Sequence, residues 1–174
     1  SLMNGNVFLY YGEELGMKGS GKDENKRAPM YWSKDGNAEG MCKGPADMDD
    51  FRMKFDSLEE QQEDPDSIYN YVKQVIRVRN QNPVIARGTT AYLEQYSGEQ
   101  CFALTRSDEN SSLLMLGNTS AETATVDLSG LTIGKTAAEE LVLLGELYTG
   151  EETAERTGAE ITLPAWSILI LGEE

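Results

Sequence analysis

The chain has 174 residues, 39% of them hydrophobic, and its 30 acidic against 15 basic side chains give a net charge of −15. That length holds one large domain or one and a half small ones, and the charge repels phosphate backbones and anionic lipid, so nucleic acid and membrane surfaces are excluded as partners while a neutral sugar is compatible. Histidine is absent, which removes Ser-His-Asp and Cys-His catalysis and the usual Cys/His zinc sites.

In chain order, Val7-Phe8-Leu9-Tyr10-Tyr11 is a continuous apolar run ended by Gly12. That pattern predicts a strand buried on both faces, as in a parallel sheet covered by helices. From Gly12 to Glu63 the repeated glycines break any periodicity, so a long loop is expected, with one short helix over 56–62. Asp64 and Pro65 then read as the N-cap and first position of a helix reaching Gln81. Its apolar stripe is Ile68, Val72, Val75 and Ile76. Asn82-Pro83 stops it.

The composition shifts near Arg87-Gly88, which divides the chain into regions 1–87 and 88–174. Beyond that point seven short strands are predicted, over 89–96, 100–106, 112–118, 123–128, 140–144, 160–163 and 167–171. Short, evenly spaced strands with turn signals between them predict an antiparallel β-sandwich. Leu113–Leu116 and Ile168–Leu171 are apolar without alternation, so they belong in central strands. The fold class is therefore mainly β. No span of the chain reaches the roughly 18 apolar residues of a membrane helix, and no signal peptide is visible. Cys42 and Cys101 form no CxxC pattern and are expected as separate thiols.

Asn6-Val7-Phe8-Leu9-Tyr10-Tyr11-Gly12-Glu13-Glu14-Leu15-Gly16-Met17 is followed by Asp23-Glu24-Asn25-Lys26-Arg27-Ala28-Pro29-Met30-Tyr31-Trp32. These motifs resemble the end of the catalytic barrel in the α-amylase family of glycoside hydrolases. There an apolar eighth strand runs into Tyr-Tyr-Gly-x-Glu-x-Gly-Met, and a loop with Asp-x-x-x-Arg and Pro-Met-x-Trp follows. The resemblance implies that residues 1–87 are a remnant of the (β/α)₈ barrel, with one strand and one long helix, and that 88–174 are the family's C-terminal sandwich. It implies an α-glucan or oligosaccharide as ligand of the intact enzyme, and a secreted or cell-surface bacterial protein.

Enzymes of that family work with retention through two carboxyl groups about 5–5.5 Å apart. Both lie on strands before the one that opens this chain, so no catalytic residue is assigned and the chain alone is expected to be inactive. A barrel of this kind needs about 250 residues. Asp23 and Arg27 match a pair that contacts sugar hydroxyls at the non-reducing side of the cleft, a carboxylate accepting and a guanidinium donating. An ion pair between them, four residues apart on a loop, is the competing reading. Trp32 is a third substrate-binding candidate. Tyr10 and Tyr11 are expected to pack, Glu14 to be structural, and Trp166 to lie in the core or at the rim of the sandwich.

Glu13 and Glu14 are adjacent, so an extended chain points them apart. Asp47, Asp49 and Asp50 lack the spacing of a helix–loop–helix calcium site and read as a solvated acidic loop. No metal or cofactor is assigned, though calcium is compatible with the parent enzyme. The competing function is a free-standing glucan-binding module, or a structural domain without sugar affinity. Val7–Tyr11 is expected to be covered, by the missing barrel or by another copy of the chain, because an unpaired apolar strand aggregates. The choice between α-1,4 and α-1,6 bonds, and between hydrolysis and transfer, stays open.

Overall fold

A computed structural model describes residues 1–173. The chain separates into two compact units, one of residues 7–73 and one of residues 1–6 with 74–174.

The larger unit is built on ten strands. They are β1 (Thr89–Tyr92), β2 (Cys101–Ser107), β3 (Ser112–Asn118), β4 (Ala124–Asp127), β5 (Thr132–Ile133), β6 (Thr136–Ala137), β7 (Val142–Leu147), β8 (Glu155–Thr157), β9 (Glu160–Leu163) and β10 (Ser167–Gly172). A five-stranded antiparallel sheet runs β1-β2-β3-β10-β7, and a three-stranded sheet runs β4-β9-β8. The fold is mainly β, an antiparallel sandwich. The short ribbon β5–β6 and strand β8 were not legible, because two or three residues carry no usable alternation. The expected strand over 89–96 stops at Tyr92, and Glu94–Tyr96 forms a 3₁₀ turn instead.

The apolar runs of β3 and β10 have a direct explanation. Leu114, Leu116, Leu169 and Leu171 face the small sheet, meeting Val126, Ile161 and Leu163. Their neighbours Leu113, Met115 and Ile170 face the opposite way, onto Val78, Val84 and Ile85. A sheet covered on both faces needs apolar side chains at every position of its middle strands. Both strands sit inside the five-stranded sheet, as predicted.

Four α-helices accompany the strands: α1 (Asp23–Lys26), α2 (Leu58–Glu63), α3 (Ile68–Gln81) and α4 (Val84–Arg87). The expected N-cap of α3 is corrected. Asp64 closes a turn, accepting from the Asp66 N–H at 3.0 Å. The helix starts later, and Ser67 caps it by accepting from the Asn70 N–H at 3.2 Å. The apolar stripe shifts accordingly: Val75 and Val78 are buried while Ile76 is exposed. The short helix expected over 56–62 forms as α2, with Glu60 accepting from the Ser57 N–H and hydroxyl, the reciprocal arrangement of a capping box.

The strand expected over Val7–Tyr11 is also corrected. The segment carries no regular structure, and Phe8 is 90% exposed. A strand exists only as part of a ladder, and among the described residues nothing pairs with this one.

Candidate functional site

The motif-bearing loop lies in the unit of residues 7–73. Gly12 starts it with φ 87°, a left-handed conformation suited to glycine. This turn leads into a single 3₁₀ turn over Glu13–Leu15, and the Met17 N–H returns to the Gly12 carbonyl at 2.9 Å. Leu15 is buried. Its carbonyl accepts from Gln61 Nε2 at 3.0 Å, and Gln61 Oε1 accepts from the Tyr69 N–H.

Helix α1 opens at Asp23 and Arg27 is its C-cap, so the turn holds both motif residues of the Asp-x-x-x-Arg pattern, but they do not pair through their charged groups. Asp23 accepts from Lys26 Nζ at 3.0 Å. Arg27 reaches Glu24 at 3.6 Å, and its Nε donates to the Asp23 main-chain carbonyl. The competing reading, an ion pair between Asp23 and Arg27, does not form; two i,i+3 pairs stand in its place. The Lys26 ammonium, by hydrogen bond and charge, holds the Asp23 carboxyl below its ordinary value, with Arg27 contributing least. The Asp23 and Arg27 side chains are 82% and 58% exposed. Trp32 is exposed as well, and its main chain ties down α2 by accepting from the Glu59 N–H at 3.1 Å.

An open cavity of about 330 Å³ is lined by Tyr10, Tyr11, Glu13, Lys18, Asn25 and Lys26, among others. Asp23, Arg27 and Trp32 are not among its lining residues. Tyr10 and Tyr11 do not pack into a core as expected. Both are exposed, with ring centroids 4.7 Å apart, and the Tyr11 hydroxyl donates to the Ala28 carbonyl at 3.0 Å. Burial, then the neighbouring Tyr10, raise the Tyr11 pKa. Glu14 Oε2 is buried without a hydrogen-bond partner.

Sequence reasoning missed two residues that organise this loop, Asn25 and Gln61. Both are buried amides, and a single Asn or Gln in a polar stretch gives no periodic signal that would single it out. The acidic stretch at 47–50 does not act as a free cluster. Asp49 engages Lys22 at 2.8 Å and Asn25, and the bond from Lys22 leads in lowering its pKa. Among the described residues no three Cys, Asp or Glu side chains are placed to hold a metal ion.

On the sandwich, Trp166 is at the rim. It is 52% exposed and is the one non-glycine residue with positive φ, 52°, among the described residues. Its N–H donates to the Ser120 carbonyl. Tyr148 donates to Glu146 and accepts from the Ala154 N–H, and burial leads in pushing its pKa up to about 12. Cys42 and Cys101 are both free thiols.

The sequence model described as "Alpha amylase, catalytic domain" matches residues 1–88. The chain belongs to the α-amylase family. Alpha-amylase 3 of Dictyoglomus thermophilum is 32% identical over 81 residues, which is 47% of this chain and 16% of that protein. Among solved structures, Amy13B of Eubacterium rectale is 40% identical with a TM-score of 0.90, covering 99% of this chain and 32% of its own. An α-amylase from H. orenii is 26% identical with a TM-score of 0.72, covering 99% of this chain and 33% of its own. The chain therefore spans about a third of the length of these family structures. The glycoside-hydrolase origin expected from the motifs holds.

Proposed function

We propose that this chain is the C-terminal portion of a retaining, α-glucan-active glycoside hydrolase, and that its sandwich stabilises the catalytic barrel. The observation that carries this is the fit to Amy13B, in which nearly all of this chain matches about a third of a longer family member. The catalytic carboxyl groups belong to the remainder, so the chain alone is inactive. It contributes the edge of a sugar subsite through Asp23, Arg27 and Trp32. The exposed run Val7–Tyr11 is then covered by the rest of the barrel, or by a second copy of the chain when it stands alone. A secreted or cell-surface location follows the family resemblance.

The test compares this chain with the product of its full reading frame. Maltoheptaose hydrolysis is followed by NMR of the anomeric proton. The full product is expected to release α-anomers and the chain alone nothing. Turnover by the isolated chain would overturn the reading.

A second reading is favoured by Trp166. A bulky residue held in the left-handed region is strained, and such strain concentrates at functional positions. A half-exposed indole fixed in this way is suited to stacking on a pyranose ring. Calorimetry of the chain and its Trp166→Ala variant against maltoheptaose separates the two readings, since only sugar binding by the sandwich is lost on that substitution.

A further inference from the structure

Helix α1 has four residues. A single helical turn is far below the length at which a helix holds itself together in water, so something outside it fixes its shape. Asp23 and Arg27 are largely exposed, and they pair with Lys26 and Glu24 of the same turn. The only buried side chain of the turn is Asn25, 5% exposed.

Asn25 uses both halves of its amide. Nδ2 donates to the Ser20 carbonyl at 2.8 Å and to Asp49 Oδ2 at 2.8 Å. Oδ1 accepts from the Asp49 N–H at 2.9 Å. The other oxygen of Asp49 meets Lys22 Nζ at 2.8 Å. Lys22 precedes α1, so the network grips the turn at its start and at its middle from one distant residue. No other common side chain reproduces this set. An aspartate lacks both donors and faces the Asp49 carboxylate, a glutamine is one methylene too long, and an alanine leaves the Ser20 carbonyl and the Asp49 N–H without their partners.

We propose that Asn25, acting through Asp49 and Lys22, is the positioning residue that holds Asp23 and Arg27 in place to bind one end of a glucan chain. The inference rests on the substrate-side role proposed for those two residues. Its physical content is preorganisation. Groups held rigid before the ligand arrives bind more tightly than groups that must be ordered on arrival.

The test uses the enzyme from the full reading frame, with maltoheptaose as substrate. In Asn25→Asp, KM is expected to rise about tenfold with kcat within about twofold, the equivalent of one to two lost buried hydrogen bonds. The double variant N25D/D49N restores a donor opposite a carboxylate and is expected to recover most of that loss. Lys22→Ala leaves the amide bonds in place at a partly exposed site, and is expected to raise KM about threefold, as for one exposed, charge-assisted contact. It keeps the test open if Asn25→Asp does not fold. An unchanged KM in both single variants, or equal losses in kcat and KM with no recovery in the double variant, overturns the proposal. Asp23→Ala and Arg27→Ala separate the failures. If they leave KM unchanged, the substrate-side role falls and this inference with it. If they raise KM and the Asn25 and Lys22 variants do not, only the inference falls.

Discussion

Arg106 on β2 is fully buried and, among the described residues, meets no carboxylate. Its guanidinium donates to the carbonyls of Ile85 at 2.7 Å and Gly88 at 2.6 Å, and to the Thr90 hydroxyl. Its Nε–H has no partner, and burial leads in pushing its pKa down. The two carbonyls lie at the end of α4, where helical carbonyls lack intrahelical donors. Arg106 therefore acts as a C-terminal cap delivered from a strand.

Replacing it with methionine, of similar bulk, removes the charge together with the cost of burying it. What remains is two buried carbonyls without a donor, each costing about 1–3 kcal/mol. A net loss of about 2 kcal/mol is expected, since a water entering the site would satisfy one of them and leave one orphaned. Arg106→Lys keeps the charge but replaces the fork with a single ammonium. It is expected to be no more stable than the methionine variant, because it adds an unfavourably buried cation while serving fewer acceptors. Urea unfolding followed by circular dichroism reads both as shifts in midpoint at constant slope. A methionine variant as stable as the parent, or a lysine variant that restores full stability, would refute the capping argument, since even one orphaned carbonyl carries a cost of about 1–3 kcal/mol.

Three further outcomes follow from single contacts. Gly117 on β3 faces Phe102, and a Cβ there would lie 2.1 Å from the ring, so Gly117→Ala is expected to lower the urea midpoint by the equivalent of about 1–3 kcal/mol. The Asp49 carboxyl is lowered below 3.8, led by Lys22. Its stabilisation is therefore complete above that value and is lost as pH falls through the lower folded-state pKa, and Asp49→Asn should flatten the acid limb of a pH–melting profile. A limb identical to the parent's would count against the assignment. Phe8 is the most exposed large apolar side chain, so Phe8→Asp should reduce the concentration-dependent self-association of the isolated chain in sedimentation velocity.

The sandwich was largely legible in the sequence because its signals are collective. Leu113–Leu116 and Ile168–Leu171 declare strands covered on both faces, and the turn-forming residues between runs mark where each strand ends. Strands such as Thr132–Ile133 are too short to show any period. The loop over 12–63 was legible only as a motif. Its glycines announce irregular backbone, but they do not say which polar side chains fold inward. Asn25 and Gln61 look like any other polar residues until the main-chain groups that they satisfy are known. The start of α3 is ambiguous in the sequence for a related reason. Asp64 and Ser67 are both good capping residues, and the choice between them depends on Gln61, whose carbonyl accepts from the Ser67 hydroxyl at 2.6 Å.

The two units are held by different forces, and this bears on what each can do. The sandwich unit buries aliphatic side chains on both faces of its larger sheet. In residues 7–73 the buried hydrophobic side chains are Leu15 and Ala28, against four buried polar ones, Asn25, Ser57, Gln61 and Ser67. Apolar burial is roughly additive in area and forgiving of geometry, whereas a buried amide contributes only when each of its partners is in place. A loop built the second way has one low-energy arrangement, and the loss of one amide releases it. That sensitivity is a poor basis for stability. It suits a surface that must hold exposed groups such as Asp23 and Arg27 at fixed positions, which is why the polar network of the loop and the apolar core of the sandwich are expected to respond so differently to single substitutions.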